Sequence, residues 1–178
     1  VTESSPPATT AGQAALTVDH LWKIFGPGAD KIIGTPDADL SRADLKAKTG
    51  CVMGVKDVSF EVSPGEVFVV MGLSGSGKSS LLRCVNGLNK VSRGKVLVHD
   101  GNQEVDVATC DAETLRRLRR NRISMVFQQF GLMPWLTVRD NVGFGLDIRG
   151  LGKAERDRIV DDKIKLVRLG QFANKFSH

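Results

Sequence analysis

The order of apolar patterns along the 178 residues predicts an α/β fold. Three observations carry that prediction. Residues 67–71, Val-Phe-Val-Val-Met, form a continuous apolar run, the pattern of a strand buried on both faces. The run leads through a Gly/Ser loop into a stretch that sets Leu81, Val85 and Leu88 on one helical face. Elsewhere Val58, Phe60 and Val62 alternate with polar neighbours, as in a strand half exposed to water. The expected architecture is an α/β core with an antiparallel β portion, followed by a helical portion that begins after residue 130.

Residues 1–14 are rich in Ser, Thr, Pro and Ala and read as a flexible tail. Order is expected from residue 15, with β-type alternation in LTVDHLWKIF from Leu16 onward. The loop-like PGADKIIGTPDADL precedes a short helix, in which Ser41 and Asp44 have capping-box-like spacing and Gly50 is the stop. Ser63-Pro64-Gly65 turns the chain. Residues 96–99 and 105–107 read as a hairpin, with Asp100-Gly101 supplying the positive-φ turn. An Arg-rich helix then leads to a second short apolar strand at 123–127. From about Leu136 the pattern is helical, and Val160, Ile164 and Val167 keep the i, i+4, i+7 spacing. The domain reading is a β subdomain and loop-bearing core over 15–130, then the start of a helical subdomain over 131–178.

Composition removes several classes of function. Hydrophobic residues at 41% and charged residues at 25% describe a globular chain. No apolar run approaches the ~20 residues of a membrane span, and the first residues lack the charged-then-apolar order of a secretory signal. Cys51, Cys84 and Cys110 are odd in number and lack CxxC spacing, which argues against a disulfide framework or zinc ribbon and suits a reducing cytoplasm. Of the net charge of +5, segment 113–122 (ETLRRLRRNR) contributes +4 through five arginines and one glutamate. That patch reads as a solvated helix face. Nucleic-acid binding through Arg116, Arg117, Arg119 and Arg120 is the runner-up, without aromatic interleaving to support it.

The most specific motif is Gly-Leu-Ser-Gly-Ser-Gly-Lys-Ser at 72–79, which fits GxxxxGK[ST]. Its glycines let the backbone curl so that successive N–H groups point around a phosphate. Gly72, Ser74, Gly75, Ser76 and Gly77 form the cradle, and the helix opening near Lys78 adds its positive dipole end. Lys78 reaches the β- and γ-phosphates, Ser79 offers a hydroxyl to Mg²⁺, and Ser80 bonds phosphate as well. Together these residues predict a P-loop NTPase fold that binds a nucleoside triphosphate.

From about Leu16 to the last residue the sequence resembles the ATP-binding subunits of ABC transporters. GLSGSGKSS looks like that family's loop, with Ser80 where Thr is more usual. SMVFQQFGLMPWLTVRDNVGFGL at 124–146 is similar to its glutamine-loop segment, so Gln128 would touch Mg²⁺ and the attacking water, with Gln129 as the neighbouring alternative. LWKIFG at 21–26 resembles the segment that supplies an aromatic platform for adenine, and Phe25 holds the matching position; a strand-end core aromatic is the other reading of Phe25, and Trp22 reads as core. Within the family, the long insertion between Phe25 and Gly54, with KTG at 48–50, resembles the importers of glycine betaine, proline betaine and choline.

The resemblance implies an α/β ABC nucleotide-binding domain, comprising an antiparallel β subdomain, a partial RecA-like core and the start of the helical subdomain. It also implies ATP and Mg²⁺ as ligands, and a peripheral position on the cytoplasmic face of the bacterial inner membrane. The implied partners are a second copy of the subunit, a membrane permease and, indirectly, a solute-binding protein. Segment 130–138 would meet the permease, with Met133 and Trp135 as candidates; packing within the helical subdomain is the alternative for both. Nucleic acid is not an expected partner.

No LSGG tetrad occurs, because Leu73-Ser74-Gly75 belongs to the phosphate loop. Nor does a second apolar strand end in Asp-Glu, and His178 is the final residue. The expectation is an N-terminal half of a nucleotide-binding domain that binds without turnover, consistent with an initial Val rather than Met. A non-transport P-loop NTPase or kinase is the alternative, and it leaves the glutamine-loop and insertion sequences unexplained.

Overall fold

The computed structural model describes residues 14–101, 103–129 and 131–176, so residues 1–13 of the expected tail lie outside the described residues. The chain divides into two compact units, Val1–Ser124 and Met125–His178.

The first unit is built on a four-stranded sheet: β1 (Leu16–Phe25), β2 (Val52–Val62), β3 (Arg93–Asp100) and β4 (Gln103–Asp106), in the order β2-β1-β3-β4. Every pairing is antiparallel. The expected hairpin is present, with Gly101 at φ 71 in its turn. Alternation along β1 is interrupted: Val18 and Leu21 are three residues apart, yet both are buried. The register shifts between them, on both the β2 and β3 sides, reset which face each side chain meets. At this irregularity His20 and Asp57 take positive φ, 45 and 47, and His20 Nδ1 lies 2.8 Å from Asp57 Oδ1.

One face of the sheet packs against α2 (Lys78–Val85) and α3 (Ala112–Asn121). Their core holds Val18, Leu21, Val55, Leu81, Cys84, Val96 and Leu118. Val85 packs beside it, whereas Leu88 lies past the helix end and is 48% exposed. The expected third member of the helical stripe is therefore wrong. The helix ends at Val85, and Asn86 caps it through backbone bonds to Leu82 and Cys84.

The segment between β1 and β2 is a small structure with its own core. It holds two 3₁₀ turns, Ala29–Lys31 and Pro36–Asp39, and α1 (Arg42–Thr49). As the spacing predicts, the Ser41 side chain accepts the Asp44 N–H, and Gly50 closes the helix at φ 73. Ile32, Ala38, Leu45 and Cys51 pack around Ile24 of β1, with Trp22 partly buried beside them.

Two expectations are corrected. Residues 67–71 are not a doubly buried strand: Val67 is 87%, Val69 67% and Met71 87% exposed. Only one side is covered, where Phe68 stacks on Phe60 at 4.6 Å and Val70 meets the sheet core. Residues 123–127 likewise form no strand, and Val126 is 98% exposed. A central parallel strand takes ladder bonds from neighbours on both edges, and among the described residues no strand pairs with either run.

The second unit contains α4 (Val138–Arg149) and α5 (Lys153–Leu166), followed by a 3₁₀ turn at Gly170–Phe172. Val160, Ile164 and Ala173 form its core with Val138 and Leu146. Val167, the predicted third residue of the stripe, caps α5 and is 60% exposed. Arg156 joins the helices through Asp147 at 2.7 Å, and through Asp157 and Asp140 at 3.0 and 3.4 Å. Its guanidinium lies where a side chain at Gly143 would stand. The bonds to Asp147 lead the causes that raise its already high pKa.

Candidate functional site

The loop at 72–79 is curled. The Ser76 N–H donates to the Leu73 carbonyl at 3.2 Å, and Gly75 and Gly77 take φ values of 77 and 104. Gly77 is required twice over: its backbone is left-handed, and a Cβ there would overlap the Gly54 carbonyl of β2. As the N-cap of α2 it offers no side chain. The first N–H groups of any helix lack intrahelical acceptors, so those at Lys78–Ser80 are left to an outside acceptor.

Lys78 folds back across this curl. Its ammonium donates to the Gly72 and Leu73 carbonyls, each at 2.7 Å, and lies 3.5 Å from Ser76 Oγ. The cation is thus held over the loop and not turned away from it. Ser74 and Ser79 are exposed, and Ser80 is half-buried. The donor set suits a hard cation that keeps most of its ligands from phosphate and water, as Mg²⁺ does. Among the described residues no cluster of acidic, His or Cys side chains forms a separate metal cage.

Phe25 ends β1 opposite Val52 and is 38% exposed. It belongs to neither hydrophobic core of this unit. Its ring lies against Gly54, where a Cβ would approach Cε2 to 2.6 Å, so glycine at 54 makes the place for it. Lys23 Nζ stands 4.7 Å from the ring centroid, steadied by the Lys90 carbonyl at 2.8 Å. Phe25, Gly75, Gly77, Lys78, Ser79 and Ser80 line one cleft of about 290 Å³. Sequence reasoning missed another lining residue, Arg42, which donates to the Gly75 carbonyl. Nothing in the spacing of the insertion could have shown that contact.

Gln128 and Gln129 are exposed and belong to the second unit. Trp135 is 69% exposed and Met133 half-buried; Phe130, at the head of the predicted permease-facing segment, lies outside the described residues. Asn141 of α4 organises that segment: its side chain accepts the Met133 N–H at 2.8 Å and donates to the Met133, Leu136 and Thr137 carbonyls. On α3, Arg117 and Arg122 both bond Asp100, and Arg119 donates to the Asn86 carbonyl. Three of the five arginines are therefore committed to holding the unit together.

Residues 55–178 match the family model described as ABC transporter. This chain belongs to the ABC transporter family. The resemblance read from the motifs is thereby borne out. Over 161 residues, this ABC chain is 42% identical to the glycine betaine/proline betaine transport system ATP-binding protein ProV of Escherichia coli (strain K12), covering 90% of this chain and 39% of that protein. Its identity to the glycine betaine/carnitine transport ATP-binding protein GbuA of Listeria monocytogenes serotype 1/2a (strain 10403S) is 39%, over 90% of this chain and 40% of that one. The ABC chain thus spans well under half the length of these curated relatives. Among solved structures, it resembles the ATP-binding cassette MJ0796, a dimer in a post-hydrolysis state bound to ADP and Pi. The TM-score is 0.70 and the identity 26%, over 91% of this chain and 61% of the cassette. The expected α/β class is that of these ABC cassettes.

Proposed function

We propose that this chain is the nucleotide-binding part of a subunit that powers import of glycine betaine, proline betaine or choline-like solutes by binding and hydrolysing ATP. The observation that carries this reading is the curled loop with Lys78 across it and Phe25 on the same cleft. The names of the relatives support the transport role and the solute class.

In this reading the adenine ring lies on Phe25, a contact that tolerates any base because every base has a π-face. The N–H groups of Gly75 and of Gly77 to Ser80 take the phosphate oxygens, and the dipole of α2 favours their charge. Lys78 leaves its loop carbonyls for the β- and γ-phosphates, while Ser79 turns its hydroxyl to Mg²⁺. The glutamine-loop resemblance would give Gln128 the contacts to Mg²⁺ and the attacking water. Water activation and the opposing charge stabilisation need groups beyond these motifs, so these residues alone bind without turning over.

The dimeric state of the similar cassette supports a second ATP-binding subunit as partner. The exposed Trp135 supports a permease contact through 130–138, with a solute-binding protein acting indirectly. Among the described residues no helix is long and apolar enough to cross a membrane; a peripheral place on the cytoplasmic face belongs to the proposal through the transport role of the relatives.

Calorimetric titration with Mg-ATP tests the reading. The unaltered protein should bind, Lys78→Ala should weaken binding by about tenfold or more, and Phe25→Ala by about fivefold or more. Equal affinity in the unaltered protein and Lys78→Ala would overturn it.

A further inference from the structure

The insertion between β1 and β2 sends one side chain to the phosphate loop. Arg42 is the first residue of α1, and it donates a guanidinium N–H to the Gly75 carbonyl. A cation there opposes the helix dipole, which favours anions in the first turn. No carboxylate forms an ion pair with it among the described residues. Arg42 is exposed, yet it lines the same cleft as Phe25, Lys78 and Ser79. It also lines a neighbouring hollow of about 430 Å³ against Gly72 and Ser76. A single carbonyl bond uses one of the five N–H donors of a guanidinium, leaving the others without a partner among the described residues.

The helix beneath Arg42 is packed and capped. Leu45, one turn along α1, is fully buried and packs with Ile24, the residue before Phe25. Ser41 and Gly50 cap the helix at its two ends. The same small core therefore anchors the chain beside Phe25, through Ile24, and the helix that carries Arg42, through Leu45; both side chains line the cleft.

We infer that Arg42 is a further nucleotide-contacting residue: the insertion holds its guanidinium at the rim of the phosphate loop, where it donates to phosphate oxygens of the bound nucleotide. This rests on the nucleotide reading above. On binding, the charged donor gains an anionic acceptor in addition to the Gly75 carbonyl, and charge-assisted bonds of this kind are the stronger ones. The contact is to the phosphate chain, so it discriminates by ligand charge and not by base.

The experiment is a titration of the protein with Mg-ATP and with adenosine over a range of salt concentrations, comparing Arg42→Ala, Arg42→Gln, Arg42→Lys and Lys78→Ala. Arg42→Ala and Arg42→Gln should each weaken Mg-ATP about tenfold and flatten its salt dependence. Adenosine affinity should stay within twofold, and Arg42→Lys should recover part of the loss. The inference is overturned if Arg42→Ala binds Mg-ATP like the unaltered protein. It is also overturned if Arg42→Gln restores affinity at an unchanged salt slope, since a neutral amide then suffices to brace the Gly75 carbonyl. Failure of the nucleotide reading looks different: the unaltered protein and Lys78→Ala would then be alike, or neither would bind.

Discussion

Strand β1 and residues 67–71 are both apolar stretches of the first unit, and they meet opposite fates. β1 lies between β2 and β3 with ladder bonds on both edges, and its Val18, Leu21 and Ile24 are no more than 2% exposed. The 67–71 run has the more continuous apolar pattern, yet Val67, Val69 and Met71 face outward. Apolar content alone does not bury a strand. β1 pairs with β2 across an insertion that folds on a core of its own, and with β3 beyond the phosphate loop and α2, so both of its edges find partners within this unit. A parallel strand depends on neighbours that a crossover must deliver.

The largest expected effect tests that contrast directly. In a urea melt, Leu21→Ala should cost about 2–5 kcal/mol, whereas Val69→Ala should stay within about 0.5 kcal/mol. The exposed run should also make the melt depend on protein concentration, because open apolar edges associate. A cooperative melt that does not shift with concentration would break the comparison.

A smaller effect belongs to the second unit, where a charge cluster and a small apolar core join the helices. Arg156 is 13% exposed, while its carboxylate partners are about half exposed, so the interaction is partly screened. Arg156→Ala should lower the stability of that unit by about 1–2 kcal/mol, read from the loss of helical circular dichroism on heating.

The smallest effect lies at the irregularity in β1. The hydrogen bond that the His20 ring donates to Asp57 raises the His20 pKa above 6.5, and the same bond holds Asp57 below 3.8. The His20 contribution is fully present below its ordinary pKa and is lost as pH rises through the raised one. The Asp57 contribution is present above its ordinary pKa and is lost as pH falls through the lowered one. Asp57→Asn keeps a residue that tolerates positive φ. It should therefore lower the Tm slightly in mildly acidic solution, with the difference closing at both alkaline and strongly acidic pH. A difference that does not vary with pH would remove the ion pair from the account.

Much of this was legible from local chemistry. The Ser41 cap, the Gly50 stop, the Gly101 turn and the amphipathic start of α2 depend on neighbours within a few residues, and such patterns are printed in the chain. The phosphate-loop residues were legible for the same reason. Leu88 and Val167 were misplaced because periodicity continues past a helix end that capping decides. The solvated face expected at 113–122 became partly structural because Asp100, on another strand, lies within reach of two of its arginines.

By itself the sequence determined the local units: which residues cap, which turn, which curl into a glycine loop, and which alternate along a strand. Each needs only φ/ψ preferences and side chains a few positions apart. Tertiary structure alone decided the encounters between distant segments: Gly54 opening room for Phe25 and for Gly77, Arg42 reaching Gly75, and the apolar run at 67–71 finding cover on one side only. Those outcomes depend on which surfaces meet when the chain closes over dozens of residues, and no periodicity within a segment encodes the neighbour it will meet.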